Sequence, residues 1–192
     1  MPTLSAGWRR RLVPAVVLLL VLPAAALATS SRQQTLGTMT KLSSDIVRGK
    51  VVAKESRWND DKSLIVTDVM IQVIEAFKGA AAPEVTLEVI GGRVEDLVLD
   101  VVGGPSFAIG EEVLVFATRG PGGRLRLPGL AQAKFTVETD AAGKVWIRNQ
   151  VSLERFLPGE EPTVDAAGRM EWSAFRGRLT GIVERQRGGG VR

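Results

Sequence analysis

Two of the side chains that most often perform catalysis do not occur in this chain. Its 192 residues include no histidine and no cysteine. Ser–His and Cys–His nucleophilic systems are therefore excluded, and so are metal sites made of imidazole or thiolate. Lysines near serines remain, namely Lys41 near Ser43 and Lys62 beside Ser63. Because such neighbours are typical of an ordinary polar surface, the sequence predicts no catalytic residue and no cofactor.

Carboxylates are the remaining candidates for metal-assisted hydrolysis. Asp60 and Asp61 lie in a polar stretch that lacks the spaced acids, the glycine and the final glutamate of a calcium loop. Glu95, Asp96 and Asp100 have a spacing that is typical of the solvent face of a strand. We therefore predict no metal site, and a carboxylate-based metal-dependent hydrolase stays as an alternative function.

Two predicted loops have residues suited to binding a partner. The polar stretch 56–63, S-R-W-N-D-D-K-S, contains Trp58, and a large aromatic side chain in such a loop has little reason to be buried. The pair Gly91-Gly92 is typical of a turn with positive φ. We predict that these loops form a binding rim with Trp58 as its anchor. The predicted partner-binding residues are Arg57, Trp58, Asn59, Asp60, Gly91, Gly92 and Arg93.

The longest strand pattern runs from Val66 to Gly79. Val69, Ile71 and Val73 alternate with more polar residues, which indicates a half-buried strand. The adjacent apolar pair Val73-Ile74 breaks this period of two. We therefore predict a bulge near Ile74, after which the side chains change faces. A run this long must bend, as strands do in small closed barrels.

Weaker patterns predict the other elements. The predicted strands are 46–54, 84–90, 97–102, 113–118, 125–127, 133–139 and 144–149. Glu88 is expected to face solvent, and Trp146 is expected to be buried. Helical spacing follows Glu171, with apolar residues Trp172, Phe175, Leu179, Ile182 and Val183. The predicted fold is mainly β: a small closed OB-like barrel of five to six strands with a C-terminal amphipathic helix.

The first 28 residues have the pattern of a secretory signal peptide. Arg9-Arg10-Arg11 precede an apolar run that is short for a membrane span, and Ala26-Leu27-Ala28 forms a cleavage site. Cleavage after Ala28 predicts a secreted or periplasmic protein with no stable membrane span. It also removes three of 25 basic residues and leaves 22 against 21 acidic ones, so the charge disfavours nucleic-acid binding. The predicted segments are a signal peptide (1–28), a disordered N-terminus (29–35), a barrel (36–150), a linker (151–170), a helix (171–186) and a frayed tail (187–192).

Four segments together resemble a known module. These are D-I-V-R-G-K-V-V (45–52), V-I-E-A-F-K-G (73–79), V-T-L-E-V (85–89) and G-E-E-V-L-V-F (110–116). They are similar to the netrin-type module, the OB-like barrel of the tissue inhibitors of metalloproteinases, and to bacterial exported proteins of unknown function. The resemblance covers residues 36–150. The animal inhibitors bind the protease zinc through an N-terminal cysteine, so their inhibitory residues match no position of this chain.

The sequence as a whole predicts an exported, non-enzymatic binding module. Its expected partner is an extracytoplasmic protein, and the resemblance implies a protease as the favoured class. A carbohydrate- or oligonucleotide-binding OB module is a further alternative, because OB barrels bind both ligands on exposed aromatic and basic residues.

Overall fold

The computed structural model describes residues 34–79, 82–150 and 164–189. Within these ranges the helices are α1 (Leu36–Leu42) and α2 (Trp172–Gly188). The strands are β1 (Asp45–Trp58), β2 (Ile65–Lys78), β3 (Glu84–Ile90), β4 (Gly92–Val94), β5 (Leu97–Leu99), β6 (Glu112–Arg119), β7 (Leu125–Arg126), β8 (Lys134–Thr139), β9 (Val145–Asn149) and β10 (Met170–Glu171). The prediction of a mainly β protein with a C-terminal helix is confirmed. The predicted signal peptide and most of the predicted linker lie outside the described residues.

β1 and β2 form a long antiparallel ribbon that is bent by three register shifts. One shift skips Ile74, because Arg48 pairs with Glu75 whereas the next residue of β1 pairs with Val73. Side chains on the two sides of this bulge pack on opposite faces of the sheet. Ile71 belongs to one apolar cluster and Phe77 to the other. The predicted bulge and change of face are confirmed.

A glycine permits the close approach of the two strands at this bend. A Cβ atom added to Gly49 would lie 2.4 Å from the carbonyl oxygen of Gln72 and 2.5 Å from Cγ2 of Ile71. No side chain fits at these distances, so the coiling of β1 over β2 requires glycine here.

The predicted boundary between β1 and the following loop is wrong. β1 continues to Trp58, because pairing with β2 extends as far as Ile65. Ser56 and Arg57 are therefore strand residues, and the connection is limited to residues 59–64. The sequence does not predict this continuation of β1, because the polar residues at its end show no alternation of apolar side chains.

Eight strands form one sheet in the order β1-β2-β3-β7-β6-β8-β9-β10. The first half of β1, from Asp45 to Lys50, also pairs with β6. β3 and β7 are parallel, whereas the other strand pairs are antiparallel. The separate β4–β5 hairpin corrects two predictions. A strand begins at Gly92, and the strand predicted over 97–102 ends at Leu99.

The sheet has apolar clusters on both faces. Val113, Val115 and Ala117 of β6 face one cluster, whereas Leu114 and Phe116 face the other. β6 is therefore covered on both sides.

α2 covers the second cluster with one stripe of apolar side chains. Phe175 is fully buried and its ring lies 5.3 Å from that of Phe135. Trp172 packs edge-on against Phe77 and lies under the guanidinium of Arg48, 4.5 Å from its ring centre. The predicted C-terminal helix is confirmed, and it packs on the sheet through Trp172 and Phe175.

Candidate functional site

Three arginines surround one buried carboxylate on β3. The side chain of Glu88 is only 4% exposed, so the prediction that it faces solvent is wrong. Its Oε2 accepts hydrogen bonds from Arg57 Nη2 and Arg124 Nη1, both over 2.9 Å. Its Oε1 accepts one from Arg126 Nε over 2.8 Å and another from Arg126 Nη2. Burial is tolerated because both carboxylate oxygens are bound by charged donors. We call these four residues the guanidinium cluster.

Strand register explains why the cluster forms at this place. Parallel pairing of β3 with β7 sets Glu88 opposite Arg126. Antiparallel pairing of β2 with β3 sets Asp68 opposite Glu88, and two like charges in that arrangement repel each other. Arg57 relieves the repulsion, because its Nε and Nη2 donate to Asp68 over 2.7 and 3.0 Å while Nη2 also reaches Glu88.

The cluster keeps its acid ionised. Burial raises the pKa of Glu88, but hydrogen bonds from Arg124, Arg126 and Arg57 outweigh burial and hold the pKa below its ordinary value. The hydrogen bonds to Asp68 raise the pKa of Arg57, with a smaller contribution from Glu88. Glu88 is thus a permanent anion at neutral pH.

Two arginines of the cluster are partly exposed. Arg57 is matched by Asp68, whereas Arg124 and Arg126 share Glu88 between them. Their side chains are 40% and 49% exposed. Asp60 lies 3.4 Å from Arg124 but is 86% exposed, and such a surface pair contributes little. Two exposed guanidinium groups therefore remain partly available to an anionic ligand.

The β1–β2 connection beside the cluster is held by its own side chains. Asn59 Oδ1 accepts hydrogen bonds from the backbone N–H groups of Ser63 and Leu64, over 2.9 and 3.0 Å. Asp61 accepts from the hydroxyl and the N–H of Ser63, and these bonds lower its pKa. The asparagine and the aspartate thus fix this turn, which presents Leu64 to solvent.

An apolar cavity of about 250 Å³ opens next to the guanidinium cluster. Val66 and Val89 are buried at its wall, whereas Leu64, Ile90 and Leu130 are 41–49% exposed at its edge. Glu88 and Arg126 contribute its charged side. The remaining lining residues are Asn59, Pro105 and Leu127. A surface hollow with apolar walls and a few polar groups on one side is the usual form of a ligand site.

Leu130 is held at the cavity edge in an unfavourable backbone conformation. Its φ is +57°, and it follows Gly129, which has a φ of +92°. A leucine in this left-handed region costs about 1–2 kcal/mol. Outliers of this kind concentrate at binding sites, and here the outlier places an exposed apolar side chain at the cavity.

The predicted binding residues are only partly brought together. Asn59 lines the cavity, and Arg57 and Asp60 join the arginines beside it. Trp58 ends β1 with 38% exposure but does not line this cavity.

The glycine pair of the predicted rim belongs to a second cavity of about 250 Å³, lined also by Lys54 and Phe107. Arg93 is exposed on β4. Only glycine fits at position 92, since a Cβ atom there would lie 2.4 Å from the hydroxyl oxygens of Ser56 and Thr67.

Sequence reasoning missed Glu88, Arg124 and Arg126. The alternation R-L-R at 124–126 is a weak signal that both arginines lie on one side of a short strand. Glu88 gave no signal of its own, because its burial depends on partners from two distant strands.

Trp146 is not a core residue, contrary to the prediction. It is half-buried on β9, and its Nε1 donates to Asp140 over 2.8 Å. Lys144 and Arg169 lie 4.5 and 4.8 Å from the centre of its ring. Cations therefore cover the ring, which explains how it is partly exposed on a strand without forming an apolar patch.

A second charged pair fixes the loop before β6. Lys134 is buried, and its Nζ donates over 2.6 Å to both Glu111 and the backbone oxygen of Ser106. Burial lowers the pKa of Lys134, partly offset by Glu111. Phe107 lies against the same ammonium group, at 4.9 Å. The enclosed position of this pair indicates a structural clamp.

Comparison with models of protein families and with curated proteins finds no match to this chain. Within residues 34–79, 82–150 and 164–189, no three acidic side chains lie together in a way that could hold a metal ion. In the same part of the chain, no helix has the length and apolar character needed to cross a membrane.

Proposed function

We propose that this protein is an exported binding module that holds a protein partner outside the cytoplasm, through the guanidinium cluster and the adjoining cavity. The observation that supports this most directly is the shape and chemistry of that surface. Three exposed apolar side chains surround a hollow, and two partly exposed guanidinium groups lie on its charged side. A protease remains the partner class that the netrin-like resemblance favours.

The proposed scaffold is an OB-like barrel of five strands. Following the pairings from β1 through β2, β3, β7 and β6 leads back to β1. A closed ring of this kind removes sheet edges and is typical of small barrels. OB barrels bind their ligands beside the loops that join the first two and the last two strands. Here residues 59–64 and 120–124 occupy those places, and both adjoin the guanidinium cluster.

The ionised state of Glu88 is consistent with a binding site rather than a catalytic site. Among the described residues that line the cavity, Glu88 is the one carboxylate, and three arginines keep it ionised. It therefore has no proton to donate, and its oxygens are already engaged. Neither general-acid nor general-base chemistry is open to it.

An oligonucleotide is the second candidate ligand, because exposed arginines bind phosphates as readily as carboxylates. Single-stranded nucleic acids also need aromatic side chains on which bases stack. The cavity lining contains no aromatic residue among those described, so the chemistry favours a protein partner.

The proposal is tested by capture from envelope and culture-medium fractions on the immobilised protein. Ile90→Ser removes an apolar side chain at the cavity edge and should release the partner. Val98→Ser is the matched control, since Val98 is also exposed, at 58% against 49% for Ile90, but does not line this cavity. Equal capture by both variants would place the binding surface elsewhere. Failure to capture any specific protein would count against a binding function.

A further inference from the structure

We infer that the site binds a protein segment in which an apolar side chain lies next to an aspartate or glutamate. The inference rests on the proposed binding function and specifies its ligand. The apolar side chain enters the cavity beside β3, and the neighbouring carboxylate is bound by Arg124 and Arg126.

The charge of the cluster selects an acidic group. Arg57 already has Asp68, so the two exposed arginines are served by the buried Glu88 and, at Arg124, by the 86% exposed Asp60 at 3.4 Å. Among the described residues, the bonds of Arg124 run through Nη1 and those of Arg126 through Nε and Nη2. A guanidinium has five donors. A carboxylate of the ligand would thus receive charge-assisted hydrogen bonds from donors that Glu88 and Asp60 do not use.

The cavity selects the neighbouring apolar group. Its volume of about 250 Å³ exceeds the roughly 150 Å³ that accommodates a benzene molecule in an engineered apolar cavity. One branched aliphatic side chain fits into it. Leu130 places an apolar side chain at the cavity edge despite its positive φ. Glycine or asparagine would have less backbone strain at this position.

Arg126 joins the two halves of the site. Arg126 lines the cavity and also donates to Glu88. When an apolar side chain of the ligand occupies the cavity, the adjacent residues of the ligand therefore lie near the Arg126 guanidinium. An extended segment advances roughly 3.3 Å per residue. The acidic residue therefore lies one or two positions from the apolar one.

Fluorescence polarisation with labelled peptides tests this inference on the exported protein. The probe is Gly-Ser-Leu-Asp-Leu-Asp-Gly-Ser, compared with peptides in which asparagine replaces both aspartates or serine replaces both leucines. Each replacement should weaken binding at least about tenfold, because each removes one half of the interaction. Equal binding of the asparagine peptide, or of the serine peptide, would overturn the inference.

Variants of the protein supply the complementary test. Arg126→Gln should weaken binding of the probe at least about tenfold. Arg148→Gln, which removes a similarly exposed arginine paired with Glu138, should leave it unchanged. Leu130→Asn should reduce binding without lowering the melting temperature, because asparagine tolerates the left-handed region and Glu88 keeps its partners. Unchanged binding in both site variants would overturn the inference.

Three outcomes distinguish a failure of this inference from a failure of the proposed function. If the protein captures a partner through the Ile90 surface but does not distinguish the peptides, the inference is wrong and the binding function stands. If a single-stranded oligonucleotide binds in a salt-dependent manner and displaces the probe, the ligand class is wrong. If no partner is captured at all, the proposed function is wrong, and the inference that rests on it is wrong as well.

Discussion

Arg57 and Glu88 lie 31 positions apart in the chain, yet Nη2 of the arginine donates to Oε2 of the glutamate over 2.9 Å. The same nitrogen also donates to Asp68. One guanidinium thus links β1 to two carboxylates that face each other across β2 and β3. The arginine thereby offsets the repulsion between the two acids.

Glu88→Gln should lower the free energy of unfolding by about 2 kcal/mol, since it removes charge-assisted hydrogen bonds from a side chain that is only 4% exposed. Urea denaturation at pH 7 measures the change. Glu84→Gln on the same strand is the control, because Glu84 is exposed, and it should change stability by less than about 0.5 kcal/mol. A similar small effect at both positions would show that the cluster contributes no stability.

The stabilising effect of Glu88 should decrease as the pH falls. Its pKa is lower in the folded chain than in the unfolded one, so the unfolded state binds the proton first as pH falls. The contribution is complete above the unfolded pKa of about 4.3 and is lost as pH falls through the folded value. The difference in unfolding free energy between wild type and Glu88→Gln should therefore be constant from pH 7 to 5 and shrink toward pH 3. A difference that stays constant down to pH 3 would contradict the shift.

Gly92→Ala should destabilise the protein by about 2 kcal/mol or more. Its φ is +135°, and the new Cβ would push apart the hydroxyls of Ser56 and Thr67, which hydrogen-bond to each other over 2.9 Å. Gly103→Ala, where φ is +74° and no atom lies within 4 Å, isolates the backbone effect and should cost only about 1 kcal/mol. Thermal unfolding distinguishes the two. Equal effects would mean that close contact plays no part.

Lys134→Ala should lower the free energy of unfolding by about 3 kcal/mol, because it leaves Glu111 without its buried cation. Arg148→Gln breaks an exposed ion pair instead, and that change should cost less than about 1 kcal/mol. Chemical denaturation of both variants gives the comparison. The clamp would have no structural role if the lysine variant were as stable as the arginine one.

Much of the fold could be predicted because its strands follow local rules. The bulge at Ile74 was visible as a break in a period of two, and the β8–β9 hairpin was marked by the turn residues between its strands. The end of β1 was not visible, because Arg57 and Trp58 are held in the strand by pairing with β2 rather than by their own pattern.

The candidate site was less predictable, for a related reason. Asn59 and Asp60 were suggested by the polar stretch around them. The alternation within β3 predicts a solvent-facing Glu88, because it contains no information about the arginines that β1 and β7 bring to this residue. A buried charge is determined by its partners, and those partners are far away in the chain.

The double pairing of β1 has a consequence for how the chain folds. Its hairpin with β2 is local, but its contact with β6 joins residues such as Arg48 and Glu112, 64 positions apart. Forming that contact requires a large loss of chain entropy before any packing energy is gained. The pairing of β1 with β6 should therefore form late, after the β1–β2 hairpin, on the scale of about milliseconds to seconds that non-local β topologies require.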